Sequence, residues 1–269
     1  MIFPLWSVPV IAIVVWIVWS FERKFPAGEL PLSAVIIDYK LAALRFGINQ
    51  LILPITAASG VMIVNTLGGG WIKLRSDGWW FLLSVVVFIL VYDLWSYIAH
   101  RAEHKFAVLW AIHSLHHSAQ SLSIITGLRH FWLEDAIHAA FFPVMAIIFK
   151  VPSEMVTTVA AIYFLPEGFA HTNIRLSLGR FALIINNPQY HRIHHSIEPQ
   201  HRDKNFCRML PLFDVIFGTA WKPGKDEFPK TGLAGEKATG FVDGIIWPVR
   251  QRLSWRSSGL TVAVGNRID

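Results

Sequence analysis

Histidine spacing constrains this chain more than any other feature. His100 and His104 stand four residues apart in the stretch HRAEHKFAVLWAIHSLHH. His113, His116 and His117 follow at i, i+3, i+4, and His191, His194 and His195 repeat that pattern in HRIHH. On helices these intervals stack imidazoles on one face, within reach of a common ion. Eight of the twelve histidines fall in these three groups, so unrelated surface or core histidines account for them poorly.

The rest of the chain reads as membrane protein. Of 269 residues 54% are apolar and only 16% charged, against roughly 25% charged in soluble domains. The net charge of +6 and the pI near 9.6 do not point to nucleic acid, because the cations flank apolar runs as they do in cytoplasmic loops. One cysteine, Cys207, excludes an intrachain disulfide framework and a multi-cysteine zinc site. No signal-peptide cleavage pattern is visible, so the N-terminal apolar run is expected to remain as a span.

Phe3 to Phe21 is that first span, stopped by Glu22, Arg23 and Lys24. A Pro- and Gly-containing link, Pro26 to Pro31, leads to a second span from Leu41 to about Val64, with Arg45 near its start. Trp79 to Ala99 is the third. Asp93, Tyr97, His100 and His104 recur along one face, so this helix is expected to leave the bilayer and carry the first two histidines just outside it. Asp93 is costly to bury alone, and either a hydrogen bond to a metal-binding histidine or a helix–helix polar contact would account for it. Ala136 to Val151 and Met155 to Phe164 are too short to span singly and suggest a hairpin with its tip near Pro152. Phe206 to Trp221 holds a compact apolar stretch, Lys222 to Gly240 reads as loop, and Phe241 to Leu253 as an interfacial amphipathic helix. The last dozen residues read as disordered. With Arg23 and Lys24 cytoplasmic, all histidine groups fall on the cytoplasmic side together with most Arg and Lys.

The fold expected is all-α: an integral membrane helical bundle with about four spanning segments and a cytoplasmic histidine-rich catalytic cap. It divides into transmembrane spans (1–92), a catalytic domain (93–221) and a basic cytoplasmic tail (222–269). Imidazole suits zinc, copper, iron and nickel. Eight grouped histidines exceed the three or four ligands of one zinc, which argues for two metals. The Glu-x-x-His pairs of carboxylate-bridged iron bundles are absent. A nitrogen-rich pair of metals beside apolar spans suits oxidation of a lipid C–H bond.

HRAEH, HSLHH and HRIHH, together with TGLRH at Thr126–His130, AHTN at Ala170–Asn173, NPQYHRIHH from Asn187 and RDKNF…FDVIFGT ending at Thr219, resemble the fatty acid hydroxylase/sterol desaturase superfamily of membrane di-iron enzymes. Within it the spacing is similar to the alkylglycerol monooxygenase-like and bacterial sterol desaturase-like branch. The resemblance covers Asp93 to Trp221. It implies that His100, His104, His113, His116, His117, His191, His194 and His195 ligate two iron ions, and it adds His171, which its own context would not single out. Glu167, one turn before His171, is a ligand or an acceptor behind one. Asp203 and Asn205 match a position that orients the last box, though turn chemistry alone also favours Asp and Asn.

His130 is expected to line the pocket, His138 to be a satisfied core histidine, and His201 has no assigned role. Cys207 stands where the family commonly has Gly, and Leu212–Phe213 replaces an aliphatic–Trp pair; both bear on substrate fit more than on metal binding. The function implied is O2-dependent hydroxylation of a lipid (sterol, alkyl ether lipid or fatty acyl chain), its tail reaching the site between spans two, three and the hairpin. Electrons would come from a separate donor, a ferredoxin or a b-type cytochrome with its reductase. Two alternatives stand beside it. Desaturation would use the same ligands. A membrane zinc hydrolase, with Glu103 or Glu167 as base, would use far fewer, and a metal-handling protein would need ligands along a transmembrane path, whereas these clusters sit at one side.

Overall fold

The computed structural model describes residues 7–152, 166–234 and 236–257. The run Met155–Phe164, the hairpin's second arm, and the last dozen residues lie outside the described residues.

The architecture is helical, with a single two-stranded sheet among the described residues. The first helix, α1 (Ser7–Lys24), carries Glu22, Arg23 and Lys24 in its last turn and ends with them. The second, α2 (Leu32–Leu67), is one continuous helix that starts directly after Pro31 and runs through Pro54. It is longer than the apolar run alone suggests. Asp38 lies inside it, and Arg45 makes a two-pronged pair with Asp135 at 2.6 Å per contact, so both charges have partners that let the helix continue. Gly68, at φ +74°, closes it in a conformation that favours glycine.

Between the second and third helices lies β1 (Ile72–Lys73), which pairs in parallel with β2 (Phe149–Lys150). Helix α3 (Gly78–Lys105) follows, then breaks at Phe106, whose backbone is extended, and the chain folds into α4 (Ala107–His117) packed on α3. Among the described residues α2 and α3 are long and apolar enough to cross a membrane.

The first arm of the expected hairpin is two short helices, α5 (Trp132–Ala139) and α6 (Phe141–Ile148), broken at Ala140 and packed along α2. Leu74, Val85, Phe88, Ile89, Phe141 and Met145 form the core that joins this arm to α3. A helical turn at 166–170 precedes His171. Helix α7 (Pro188–His194) starts with Pro188 in its first turn, and the Asn187 side chain accepts the Tyr190 amide at 3.1 Å. The apolar stretch before Trp221 forms the short α8 (Leu212–Ile216).

The C-terminal helix, α9 (Phe241–Ser257), does more than lie on a surface. Trp247 is fully buried and donates its indole N–H to Ser114 Oγ on α4 at 2.9 Å. Gly244 lets it approach closely, since a Cβ there would meet Leu41 at 2.9 Å. Val242, Ile246, Val249 and Leu253 remain exposed, so an apolar stripe faces outward as the amphipathic reading expects.

Candidate metal centre

Three helical turns and one loop residue bring nine histidines into two clusters. His100, His104, His113, His117 and His194 form one, and His116, His171, His191 and His195 the other; within each, one ring nitrogen per residue lies within 4.8 Å of all the rest. The clusters abut, with the rings of His117 and His195 stacked at 4.4 Å. All nine residues singled out in the sequence are present, His171 included. The two HxxHH boxes are divided reciprocally. From α4, His113 and His117 go to the first cluster and His116 to the second; from α7 and its C-cap, His194 goes to the first and His191 and His195 to the second.

The backbone decides which nitrogen each ring presents. His100 Nδ1 lies 2.8 Å from the Phe206 carbonyl, His116 Nδ1 3.3 Å from that of Arg129, His171 Nδ1 2.8 Å from that of Glu167 and His194 Nδ1 2.8 Å from that of Lys204. A carbonyl only accepts, so each Nδ1 carries the proton, and in a neutral ring Nε2 is then a bare lone pair. Burial, reinforced by neighbouring imidazoles, holds His116 and His194 well below the usual histidine range. Burial likewise lowers His171 to about 4. These rings are neutral at physiological pH.

The consequence is sharpest at His116 and His171, whose Nε2 atoms face each other at 3.0 Å. Both have given their proton-bearing nitrogen to a carbonyl, so neither can donate, and two opposed lone pairs at that distance repel unless a cation lies between or beside them. Two imidazole nitrogens bound at right angles to one first-row ion at about 2.1 Å lie about 3.0 Å apart. The distances His191–His171 (2.9 Å), His195–His191 (3.1 Å), His104–His117 (3.1 Å) and His100–His113 (3.1 Å) fall at the same value. The donor set fits a pair of transition metals.

Among the described residues, the carboxylates within 4 Å of clustered imidazoles stand behind the first cluster. Glu134 Oε2 accepts from His113 Nδ1 at 3.1 Å and from His130 Nδ1 at 2.8 Å, while Glu103 Oε2 lies 3.6 Å from His113 Nδ1. Burial alone would lower His113, but these two carboxylates outweigh it and raise its pKa. Burial would raise Glu134, yet His130 and His113 hold it well below the carboxylate range. Sequence reading did not single out Glu134; its place four residues after His130, on a helix start, was the available signal. Glu103, considered there only as a hydrolytic base, pairs with His138 Nε2 at 3.0 Å.

Other expectations resolve differently. Asp93 accepts the amides of Met209 and Leu210 at 3.0 and 2.9 Å, pinning a loop to α3. Glu167 lies outside both clusters. Its carboxylate pairs with Arg208, which lowers it to about 2 against the opposing effect of burial; its carbonyl serves His171. His130 does line the cavity and stacks on His116 at 4.1 Å. It also groups with His113 and Glu134. His138 is satisfied as expected, by Glu103, but it is only partly buried and lines the cavity. His201, given no role, is buried and joins Ser196 Oγ (2.8 Å) to Glu227 Oε1 (3.0 Å).

Asp203 and Asn205 do both things proposed for them. Their φ angles of 54° and 59° shape a turn that aims the Lys204 carbonyl at His194. Asp203 lies 3.7 Å from His104 Nδ1, and Asn205 holds the Tyr190 and Trp221 carbonyls.

A cavity of about 60 Å³ touches both clusters, with His100, His113, His116, His171 and His191 on its wall. Glu167, Arg208, Cys207 and Asn186 line it as well.

The family model for fatty acid hydroxylases matches residues 85–219. The chain is 28% identical over 185 residues to alkylglycerol monooxygenase of Danio rerio, covering 68% of this chain and 40% of the relative. It is 26% identical over 176 residues to ornithine lipid hydroxylase OlsE of Rhizobium tropici, covering 65% and 53%. Alkylglycerol monooxygenase of Caenorhabditis elegans is 29% identical over 209 residues, covering 72% and 40%. The chain thus spans about half or less of the length of these relatives. No solved structure matches it. The match takes in the three helices and the loop that carry all nine clustered histidines, and the chain belongs to the fatty acid hydroxylase family.

Proposed function

We propose that the protein is an integral membrane hydroxylase that uses O2 to convert a lipid C–H bond to C–OH. The facing Nε2 lone pairs of His116 and His171 carry this reading, because they demand a cation inside a buried, all-nitrogen site. His100, His104, His113, His117 and His194 would hold one iron, and His116, His171, His191 and His195 the other. The chemistry that a pair of irons supplies is reductive activation of O2. The balance is lipid C–H plus O2, two electrons and two protons giving lipid C–OH and water.

The chain's own residues position the site and exclude water from it. Four backbone carbonyls fix the imidazole orientations, Glu134 and Glu103 keep negative charge behind His113, and burial keeps the other rings neutral and ready to bind metal. The substrate's reacting carbon would sit in the cavity against His116 and His171. The names of the relatives, monooxygenase and hydroxylase, favour oxygen insertion over desaturation. The reading includes about four spans with the histidines on the cytoplasmic side, a catalytic domain over 93–221, and a separate ferredoxin or b-type cytochrome as electron donor.

Metal analysis with Mössbauer spectroscopy on protein from iron-supplied cells tests the proposal. Close to two coupled irons per chain, lost in His116→Ala, with 18O from 18O2 recovered in a lipid hydroxyl, is expected. Zinc that persists under iron supply, with no O2 uptake, would sink it and favour a hydrolase or metal-handling protein.

A further inference from the structure

Asp93 sets the depth of the catalytic domain. It lies six residues before Ala99, the end of the apolar run of α3, hence about 9 Å inside that end along the helix axis. Its carboxylate holds the Met209 and Leu210 amides. Asn186 is stapled to the same loop, its amide on the Met209 carbonyl at 2.7 Å and its side chain on the Cys207 and Arg208 carbonyls at 3.1 Å each. Two loops of the catalytic domain are therefore held at a level that belongs to the hydrocarbon core if α3 spans as its composition indicates.

The residues flanking those loops carry apolar side chains outward. Phe181, Ile184 and Ile185 lead into Asn186; Leu212, Val215, Ile216 and Phe217 follow Leu210. Ile184 is 62% exposed and Ile216 60%, so both flanks present large apolar side chains outward. Phe217 stacks on Tyr97 of α3 at 5.2 Å, which makes the second flank continuous with the spanning helix. Arg180, over the Phe181 ring at 4.7 Å, puts a cation at the margin of the first flank, as snorkelling side chains do at a headgroup boundary. Between the two flanks Asn186, Cys207 and Arg208 line the cavity that reaches His116 and His171.

We propose that segments 181–185 and 212–217 are embedded among the acyl chains of one leaflet, and that the cavity opens sideways to those chains between Asn186 and Arg208. What passes through the opening rests on the hydroxylase reading; the embedding does not. The opening lies beside α3 at these two loops, instead of between spans two, three and the hairpin.

Nitroxide labelling tests the embedding in the full chain reconstituted into phosphatidylcholine vesicles. Cys207 is the single cysteine and is 1% exposed, so a cysteine introduced at the surface labels selectively. Labels at Ile184→Cys and Ile216→Cys are expected to collide readily with O2 and poorly with a water-soluble nickel chelate, matching Leu82→Cys on the exposed face of α3. Lys225→Cys, in the polar loop, provides the opposite pattern. If 184 and 216 instead behave like 225, the embedding is wrong, whether or not the protein hydroxylates anything. A phospholipid carrying a diazirine on its acyl chain tests the opening. Cross-links to peptides covering 181–186 or 207–217 support it; cross-links confined to α1, α2, α3 and α6 overturn it. Neither readout needs bound iron or turnover, so a failure here is separate from a failure of the hydroxylase assignment.

Discussion

Replacing Glu134 by Gln should weaken one metal and spare the other. Glu134 uses both carboxylate oxygens: Oε2 takes the Nδ1–H groups of His113 and His130, and Oε1 takes the Phe131 amide at 3.1 Å, closing the start of α5. Glutamine keeps a single acceptor oxygen, so its NH2 must confront either the two imidazole donors or the Phe131 amide. Loss of an outer hydrogen-bond partner of a metal-binding histidine typically costs 10–100-fold in affinity, or about 1.4–2.7 kcal/mol. Glu103, 3.6 Å from the same His113 nitrogen, still supplies negative charge, which places the single substitution near tenfold. The double variant Glu103→Gln/Glu134→Gln should approach the hundredfold end. The assay is chelator competition followed by metal analysis, with the thermal midpoint recorded for each apoprotein. Because His113 belongs to the first of the two histidine clusters and not to the second, one ion should leave at lower chelator concentration while the second leaves as in the wild type. Equal loss of both ions, or no change in either, would refute the assignment of these carboxylates to one site.

Three further outcomes follow from the same structure. Asp38→Ala should destabilise the protein by about 3–5 kcal/mol, the usual cost of stranding a buried charge, because it strips Arg129 of its 2.6 Å partner, and Asp38→Leu/Arg129→Met should recover much of that loss; denaturant titration in detergent distinguishes them. Gly127→Ala should tilt His171, since the new Cβ would stand 3.1 Å from its Nδ1, and so lower metal occupancy of the second cluster with little change in fold, read by metal analysis and circular dichroism. Metal-free protein should lose stability as pH falls from about 6.5, where an unfolded imidazole takes up its proton, towards about 4, where His171 itself protonates. His171 alone contributes about 3 kcal/mol to that loss, and a metal-free thermal midpoint that is flat across this interval would contradict the neutral-ring argument.

Most of the candidate metal site was legible in the sequence because helix periodicity converts spacing directly into proximity: His113, His116 and His117 had to share a turn, and α3 had to carry His100 and His104 past its apolar run. His171 was legible only through family resemblance, since a single histidine after a helical turn has no spacing partner. What spacing could not reveal was long-range and carried by the backbone. The carbonyls of Arg129, Lys204 and Phe206 orient rings far from them in sequence, and no side-chain pattern announces a carbonyl. Asp93 shows the same limit: its position suggested a histidine or a helix–helix partner, and no side-chain pattern announces the Met209 and Leu210 amides that it holds. The break between α5 and α6 at Ala140 and the pairing of β1 with β2 likewise depend on contacts that local propensity does not encode.

The reciprocal division of the two histidine boxes makes helical pitch a ruler. His116 and His117 are neighbours on α4 yet point to different clusters, as His194 and His195 do at the end of α7. Successive helical residues differ by about 100° and 1.5 Å, so the separation of the two sites is written into backbone geometry and does not depend on how loops settle. A slight rotation of either helix would move a ligand towards one site while withdrawing its neighbour from the other. The spacing of the pair is thereby held against drift from both sides at once, by two short helices that check each other.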